Sequence, residues 1–405
     1  MSLLRDFWTY CSCYEIPRNY AIWAGVGLLS ATINRKVYVR QGDILLHGNM
    51  YLCLVGEQGG KKSTAKDFAR DFFVDAFPDA PLGAAMQSRE EIIKYLASQE
   101  STRSYKNEDG ALVEYHPYAF FINELKNFLS YNPAGMVEFL TDIYDRKSFD
   151  ARTLKRGAEL IINPSVSILA CETPNWIIEK LKLNIIAGGF SRRMVYVYEI
   201  EDPRTVVEIA KPRPKITQEA REAEKRIRQH LLKINTLAGE FKWHPEAEKF
   251  WDEWYIQNRR TLPNDPIMRG YRRTKDVQLL KTTMAVAASY PEPRLLLTVP
   301  HLEESLAMLD TIEVNMPKLS VAAGRNPLAV PQQKLLEAVE ANGGKMERRE
   351  LMRRMGNEMN PMELMSVIRF LQDSGQLFEL LEEIPNTTLK RSVLATREHI
   401  KTKKA

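Results

Sequence analysis

The chain of 405 residues has 57 Lys and Arg against 52 Asp and Glu, and 44% of its residues are hydrophobic. These values are ordinary for a globular protein of two to four domains and exclude a disordered or fibrous chain. With four cysteines and no basic–apolar leader, a disulfide scaffold and a secretory signal are not expected, which favours a cytoplasmic protein. The net charge of +5 is compatible with nucleic acid but is weak evidence alone.

Residues 1–45 form the first predicted block, a helical lead-in followed by a pair of strands. Its most apolar stretch, YAIWAGVGLLSATI, has about 14 residues, whereas a membrane-spanning helix needs roughly 20. We therefore expect a buried helix and no membrane association. The next stretch, KVYVRQGDILLHG, predicts two short paired strands.

The second block, residues 46–210, alternates apolar strands with helical segments. This pattern predicts an α/β domain built on a mostly parallel sheet. The predicted strands are 51–55, 119–122, 165–170 and 194–198. Strand 51–55 leads into GEQGGKKST, which nearly matches the phosphate-binding loop G-x-x-x-x-G-K-[ST] and is followed by a helical pattern.

The glycine-rich loop predicts an ATP site, because its backbone N–H groups can surround phosphate oxygens at a helix N-terminus. Lys62 would reach the β- and γ-phosphates and Ser63 would hold Mg²⁺. Lys61 stands where the motif has its second glycine, at a cost in backbone freedom. The remaining ATP-binding residues predicted from the loop are Gly56, Gly59, Gly60 and Thr64. An ordinary β–α turn with chance lysines is the alternative, which the strand–loop–helix order disfavours.

The strand in YAFFINEL supplies the acid that an ATPase needs. Glu124 is predicted to orient the attacking water, and Asn123 stands on the Mg²⁺ side, where an aspartate is usual. Asparagine can hydrogen-bond a metal-bound water but brings no charge, so metal affinity would be lower. A core strand ending in a polar turn is the alternative.

A third strand, in SVSILACETP, ends in polar residues that could lie between the first two strands. We favour Thr173 as the group that reaches the γ-phosphate or the water, with Glu172 as the second choice. The competing role for Thr173 is that of a helix N-cap before Pro174.

The segment GGFSRRMVYVYE places two arginines at the start of a strand. Arg192, or in reserve Arg193, could project into the ATP site of a neighbouring subunit and stabilise charge on the transferred phosphoryl group. A pair of surface arginines at a strand end is the alternative.

The segment SFDARTLKRGAELIINP predicts a hairpin whose turn lies near KRG. Lys155 and Arg156 at its tip could contact DNA phosphates in the pore of a ring. A solvated basic turn is the alternative.

Two further blocks complete the chain. Residues 211–320 are predicted to form a helical lid or bundle, and residues 321–405 have the pattern of a winged-helix domain. Two wing strands are predicted at its end, in FELLEE and RSVLAT, with IPNTT as the turn between them. Its third helix, PMELMSVIRFLQDSG, is poor in basic residues for a recognition helix, while the preceding ERRELMRRMG is arginine-rich. Duplex DNA binding and a packing or partner role therefore both stay open for this domain.

Taken in order, the motifs GEQGGKKST, FFINEL, SFDARTLKRGAEL, SILACETPNW and GGFSRRMVYVYE resemble a family of phage, prophage and plasmid P-loop proteins described as primase/helicase-like. Its core is similar to the AAA+ motor of minichromosome maintenance helicases. The resemblance covers roughly residues 10–320. It implies a ring, usually a hexamer, with ATP and Mg²⁺ at subunit interfaces and Arg192 acting in trans. It also implies a pre-sensor-1 DNA hairpin carrying Lys155 and Arg156, and a sensor-2 arginine in the lid.

The sensor-2 arginine falls in MRGYRRTKDVQLL, where Arg272 and Arg273 both fit, and Arg273 is included among the predicted ATP-binding residues. A primase or an initiator protein is a further partner that the resemblance suggests. The leading functional interpretation is an ATP-driven DNA helicase or translocase serving replication of a mobile element or phage. The alternatives are an ATP-switched initiator or helicase loader that does not unwind DNA, and a winged-helix DNA-binding regulator with a degenerate nucleotide site.

Overall fold

The computed structural model of the chain describes residues 1–130, 132–153, 157–177, 189–199, 216–260, 266–315, 329–355, 361–383, 390–396 and 399. The fold is mixed α/β and divides into two units, Met1–Ala323 and Gly324–Ala405. Each unit has a hydrophobic core of its own. Within the described ranges, no helix is both long enough and apolar enough to cross a membrane.

The helices and strands of the first unit are numbered along the chain. The helices are α1 (Leu3–Cys11), α2 (Arg18–Ile33), α3 (Lys62–Ala76), α4 (Arg89–Leu96), α5 (Leu125–Phe128), α6 (Pro133–Ile143), α7 (Gly189–Arg193), α8 (Gln218–Ile234), α9 (Pro245–Arg260), α10 (Pro266–Ser289) and α11 (Val299–Glu313). The strands are β1 (Val37–Gln41), β2 (Ile44–His47), β3 (Tyr51–Val55), β4 (Arg103–Lys106), β5 (Leu112–Ile122), β6 (Ser148–Thr153), β7 (Gly157–Ile162), β8 (Pro164–Glu172), β9 (Met194–Tyr198), β10 (Gly239–Glu240), β11 (Lys242–Trp243) and β12 (Leu296–Leu297).

The predicted N-terminal helix and the strand pair after it are confirmed. The apolar stretch forms α2, which is buried along most of its length. The KVYVRQGDILLHG segment forms the antiparallel pair β1–β2. Strand β10, about 200 residues further along, adds to the outer edge of β1 in parallel, so this small sheet joins distant parts of the unit.

A five-stranded sheet in the order β4-β5-β8-β3-β9 forms the centre of the first unit. All four predicted strands are present as β3, β5, β8 and β9, and they are parallel to one another. Strand β4 pairs antiparallel with β5, so the sheet is mixed. Strand β8 lies between β3 and β5, which brings the carboxyl ends of these three strands to one edge.

The central sheet is covered on both faces, as parallel sheets usually are. Along β3 the side chains alternate between two cores: Leu52 and Leu54 belong to the core that contains α2 and α3, whereas Tyr51 and Cys53 belong to the core that contains α4 and α6. Burial on both faces explains why β3 and β9 are continuous runs of apolar and aromatic residues, with no polar alternation.

The predicted hairpin is confirmed on both sides of its turn. Strands β6 and β7 pair antiparallel, from Ser148 opposite Ile162 to Thr153 opposite Gly157. The two predicted DNA-contacting residues, Lys155 and Arg156, lie outside the described residues.

The helical segments predicted after the sheet are present as α8 to α11. Lys281 connects helix α10 to the segments at the amino end of β3. Its fully buried ammonium donates to the backbone carbonyls of His47 and Asn49 and pairs with Asp145. This buried ion pair joins three segments that are far apart in sequence.

The described residues of the second unit include the helices and strands of a small domain, with an antiparallel sheet in the order β13-β15-β14. Its elements are α12 (Ala329–Ala341), β13 (Lys345–Glu347), α13 (Arg348–Met355), α14 (Pro361–Asp373), β14 (Leu377–Glu383) and β15 (Lys390–Thr396). The two predicted strands are present, and β13 is a third that the pattern did not indicate. Leu335, Leu351 and Leu371 are fully buried in its core.

Candidate functional site

The glycine-rich loop joins the end of β3 to the start of α3. Its first residue, Gly56, packs tightly against Tyr20 of α2. The Tyr20 hydroxyl donates to the Val55 carbonyl at 2.6 Å, and a Cβ atom on Gly56 would lie 2.1 Å from that hydroxyl oxygen. A side chain at position 56 would therefore displace the tyrosine that holds the end of β3.

Lys61 occupies the left-handed backbone region, with φ of 61°. This region costs an L-residue with a Cβ roughly 1–2 kcal/mol, which explains why the motif usually has glycine here. Gly59 also has positive φ, at 84°. The Lys61 N–H donates to the Gly59 carbonyl at 2.8 Å, so in this conformation the loop is closed on itself.

Lys62 is the first residue of α3 and its side chain is 9% exposed. Its ammonium donates to the Gly56 carbonyl at 2.6 Å and to the Glu57 carbonyl. Desolvation lowers the pKa of this ammonium. Across the described residues Lys62 forms no ion pair, so a buried positive charge is held by carbonyl oxygens at the opening of the loop.

A cleft of about 410 Å³ lies over the loop. This volume is in the usual range of small-molecule sites. The cleft is lined by Gln58, Gly59, Gly60, Lys61, Lys62, Ser63, Thr64, Asn123, Glu124, Cys171, Glu172 and Thr173. The structure therefore brings together most of the predicted site residues, from three separate strand ends, and Gly56 lies beneath them at the base of the loop.

Asn123 and Glu124 follow β5, and both side chains are exposed. The Glu124 carboxylate accepts a hydrogen bond from Asn127 Nδ2 at 2.7 Å and lies 3.2 Å from the Lys126 ammonium. Ser63 is exposed on the same cleft. The predicted water-orienting carboxylate is thus accessible to solvent but is engaged by two neighbours on its own segment.

Glu172 and Thr173 end β8, and Glu172 is almost fully buried. Its carboxylate accepts from the backbone N–H of Lys126 at 2.8 Å, from the Thr173 N–H at 2.8 Å and from the Thr173 hydroxyl at 3.2 Å. The Thr173 hydroxyl is therefore held at the cleft by Glu172. In the sequence analysis Glu172 was the second choice after Thr173, yet Glu172 joins the end of β8 to the segment after β5. The sequence signal for this role is a carboxylate at the end of a mostly apolar strand.

Arg192 and Arg193 lie in α7, which precedes β9. Because Tyr51 at the start of β3 pairs with Met194, both arginines lie at the opposite end of the sheet, roughly 17 Å from the loop for a five-residue strand. Arg193 donates to the Gly189 carbonyl and lies over the Tyr144 ring, whereas the Arg192 side chain is exposed. The structure thus does not bring Arg192 into the cleft of its own chain.

The two lid arginines differ in the same way. Arg272 pairs with Glu313 of α11, and its backbone carbonyl accepts from Asn258. Arg273 is exposed. Neither residue lines the cleft described above, so the predicted sensor-2 contact is not formed within this single chain.

Comparison with known proteins adds no family assignment. No protein-family model matches the chain, and no curated protein matches it. Among the residues that the structure describes, no group of three or more His, Cys, Asp or Glu side chains is placed to hold a metal ion.

Proposed function

We propose that the chain is an AAA+ type ATPase that forms a ring, hexameric by the resemblance, and unwinds or translocates along DNA. The observation that carries the proposal is the cleft where three parallel strands end. It combines a glycine-rich loop, a helix N-terminus, a buried lysine without an ion-pair partner among the described residues, and a polar residue from each of the two other strands. Phosphate groups are the ligands that such a combination recognises.

ATP and Mg²⁺ fit this cleft on the evidence of Lys62. A desolvated ammonium whose partners among the described residues are two carbonyls would exchange them for charged phosphate oxygens, which form stronger hydrogen bonds. Ser63 and Asn123 would hold the metal, either directly or by a hydrogen bond to a water molecule bound to it. Mg²⁺ when bound would offset phosphate charge. Glu124 would orient the attacking water once its contacts with Lys126 and Asn127 are released. Thr173, held by Glu172, would contact the γ-phosphate or the water.

The position of Arg192 supports action between subunits. It is exposed and lies a strand length from its own cleft, so it cannot complete that cleft without a second copy of the chain. Exposed Arg273 is available for the same kind of contact. A ring would also place the β6–β7 hairpin where DNA passes, with Lys155 and Arg156 as the proposed contacts.

The second unit supports a winged-helix module, since its order of helix, strand, two helices and two strands is that pattern. Arg349, Arg353 and Arg354 on α13 are exposed, while Arg348 is paired with Glu379. A DNA contact through α13 is therefore better supported than one through α14, whose exposed residues include Met362 and Phe370.

The test is ATP hydrolysis with and without single-stranded DNA, over a range of protein concentrations, for the wild type, Lys62→Ala and Arg192→Ala. Lys225→Ala, an exposed lysine of α8, is the matched control. We expect a DNA-stimulated rate that rises more than linearly with protein concentration and falls at least about 100-fold in both site variants. Mixing Lys62→Ala with Arg192→Ala should restore part of the activity, because each variant keeps the half of the site that the other lacks.

Absence of hydrolysis in the wild type at every concentration, despite measured ATP binding, would rule out the motor. That result would favour the second candidate, an ATP-switched initiator or loader. The contacts that Lys126 and Asn127 make with Glu124 favour this candidate, because they hold the water-orienting carboxylate. Forked-duplex unwinding then separates an active motor from a switch that hydrolyses slowly.

A further inference from the structure

A second cavity of about 660 Å³ lies in the first unit and shares no lining residue with the loop cleft. It opens beside the C-terminal end of α3 and the first half of β8. Ser165 and Ser167 contribute to its wall, seven and five residues before Glu172, where β8 reaches the loop cleft. The two cavities are therefore separated by roughly 17–23 Å along the strand.

Lys36 is the unusual group in this cavity, since its side chain is only 6% exposed. Its ammonium donates to the backbone carbonyl and side-chain oxygen of Asn235. An ammonium has three donors, so one remains. Within the described part of the chain Lys36 forms no ion pair, and burial, with no carboxylate offsetting it, lowers its pKa to about 8. A buried cation normally has a counter-charge, because its desolvation is costly.

A second group in the cavity also lacks a partner. The Ser165 hydroxyl is fully buried and makes no hydrogen bond to any described residue. Buried hydroxyls are nearly always hydrogen-bonded in native proteins. Ser165 lines the cavity, but its hydroxyl oxygen is closed to solvent, so the group that points to a ligand is the Lys36 ammonium.

The rest of the lining defines the class of ligand. Phe73 and Phe77 at the end of α3 form an apolar aromatic wall, with ring centroids 5.6 Å apart. Arg103 and Lys106 line the cavity as further cations, and the guanidinium of Arg103 donates to backbone carbonyls. Among the described lining residues Asp79 is the one carboxylate, against Lys36, Arg103 and Lys106, so this part of the wall carries a net positive charge.

We propose that this cavity binds a small organic anion, whose flat apolar part contacts Phe73 and Phe77 and whose acidic group pairs with Lys36. The ligand supplies the counter-charge that the described residues of the chain do not provide. It would contact the C-terminal end of α3, the helix whose first residue is Lys62. The site does not depend on the proposed ATPase function.

The test uses two fluorescent probes with the same ring system, titrated into the full chain. The anionic probe is 8-anilinonaphthalene-1-sulfonate, and the neutral one is N-phenyl-1-naphthylamine. Lys36→Met should weaken binding of the anionic probe by about tenfold, since a charge-assisted hydrogen bond is lost, and leave the neutral probe within about twofold. Ala76→Trp, which fills the cavity from α3, should abolish binding of both probes.

Two controls locate the binding. Lys94→Met, an exposed lysine of α4, and Lys62→Ala in the loop cleft should both leave the two affinities unchanged. Circular dichroism tests whether each variant is folded. If Lys36→Met is not folded, the loss or retention of probe binding in Ala76→Trp decides whether the cavity is the binding site. The proposal is wrong if the anionic probe binds Lys36→Met as tightly as wild type, if Ala76→Trp retains it, or if Lys62→Ala removes it.

Discussion

Two buried lysines at opposite ends of the central sheet show how differently the same charge can be used. Lys281, at the amino end of the sheet, is fully buried and has a carboxylate, Asp145, at 2.9 Å, together with the His47 and Asn49 carbonyls. Lys62, at the carboxyl end, is bound by two loop carbonyls and pairs with no carboxylate among the described residues. The charge of Lys281 is therefore balanced within the described structure, whereas that of Lys62 is not.

This difference separates a structural region from the region that we propose binds a ligand. The amino end is a closed network that holds α10 to the sheet. The carboxyl end has an open cleft, a lysine in the left-handed backbone region at position 61 and an exposed carboxylate at Glu124. Strain and exposed charge of this kind concentrate at functional sites and are stabilised by the structure around them.

The largest effect is expected from Asp145→Ala, which leaves the Lys281 ammonium buried without its counter-charge. Removing one partner of a buried pair typically costs about 3–5 kcal/mol of unfolding free energy. Chemical denaturation of the first unit measures it. The control is Asp142→Ala, which breaks an exposed pair with Arg146 and should cost less than about 1 kcal/mol. Equal losses in the two variants would refute the distinction.

Gly56→Ala should cost about 1–3 kcal/mol, the range for overpacking, because its Cβ meets the Tyr20 hydroxyl. In a Tyr20→Phe background the added methyl should cost less, since the colliding oxygen is gone. A double-mutant cycle on unfolding free energy measures the coupling. Simple additivity of the two changes would mean that Tyr20 does not set the requirement for glycine.

The closed network should also respond to acid. Burial, followed by the neighbouring charges of Arg35 and Lys281, lowers the pKa of His47 to about 2. Between pH 6.5 and 2 the unfolded chain therefore takes up a proton that the folded chain does not, so stability falls as the pH drops through this window. The expected slope is about 1.4 kcal/mol per pH unit. His47→Gln should remove that part of the slope when denaturation curves are compared; identical slopes would contradict it.

The smallest effect is expected from Lys61→Gly, which relieves the left-handed strain and should stabilise the first unit by about 1 kcal/mol. Lys61→Ala is the matched control, because it removes the charge but keeps the Cβ, and it should bring no gain. Both unfolding free energies come from the same denaturation assay. An equal gain in unfolding free energy in the alanine variant would show that the effect comes from removing the lysine charge and not from relieving backbone strain.

The elements that sequence reasoning located well are those with a strong local signal. The apolar runs that became β3, β8 and β9 and the hairpin β6–β7 were predicted because alternation, apolar run length and turn residues act over a few neighbours. Strand β13 was not predicted because KME is only three residues long, and β4 was not predicted because RSYK has no apolar run. The two-residue strands β10 to β12 exist only through pairing with distant partners.

The candidate site was also predicted in part. The loop, Asn123, Glu124 and Thr173 line one cleft, as expected for residues that follow parallel strands. The sequence did not indicate that Glu172 links the end of β8 to the segment after β5, or that Tyr20 leaves no room for a side chain at position 56. Both features depend on a contact between separate elements. The same holds for Lys36 and Asn235, which are 199 residues apart and meet at the second cavity.

The sequence by itself determined the longer strands and helices and which residue types stand at the strand ends, since these follow from local periodicity and turn chemistry. The tertiary structure decided the order and direction of the strands in the sheet, and the parallel pairing of β3 with β9 places Arg192 far from the loop of its own chain. It also decided which buried lysine finds a carboxylate. Charge compensation and strand order depend on groups brought together across hundreds of residues, and no local pattern specifies them.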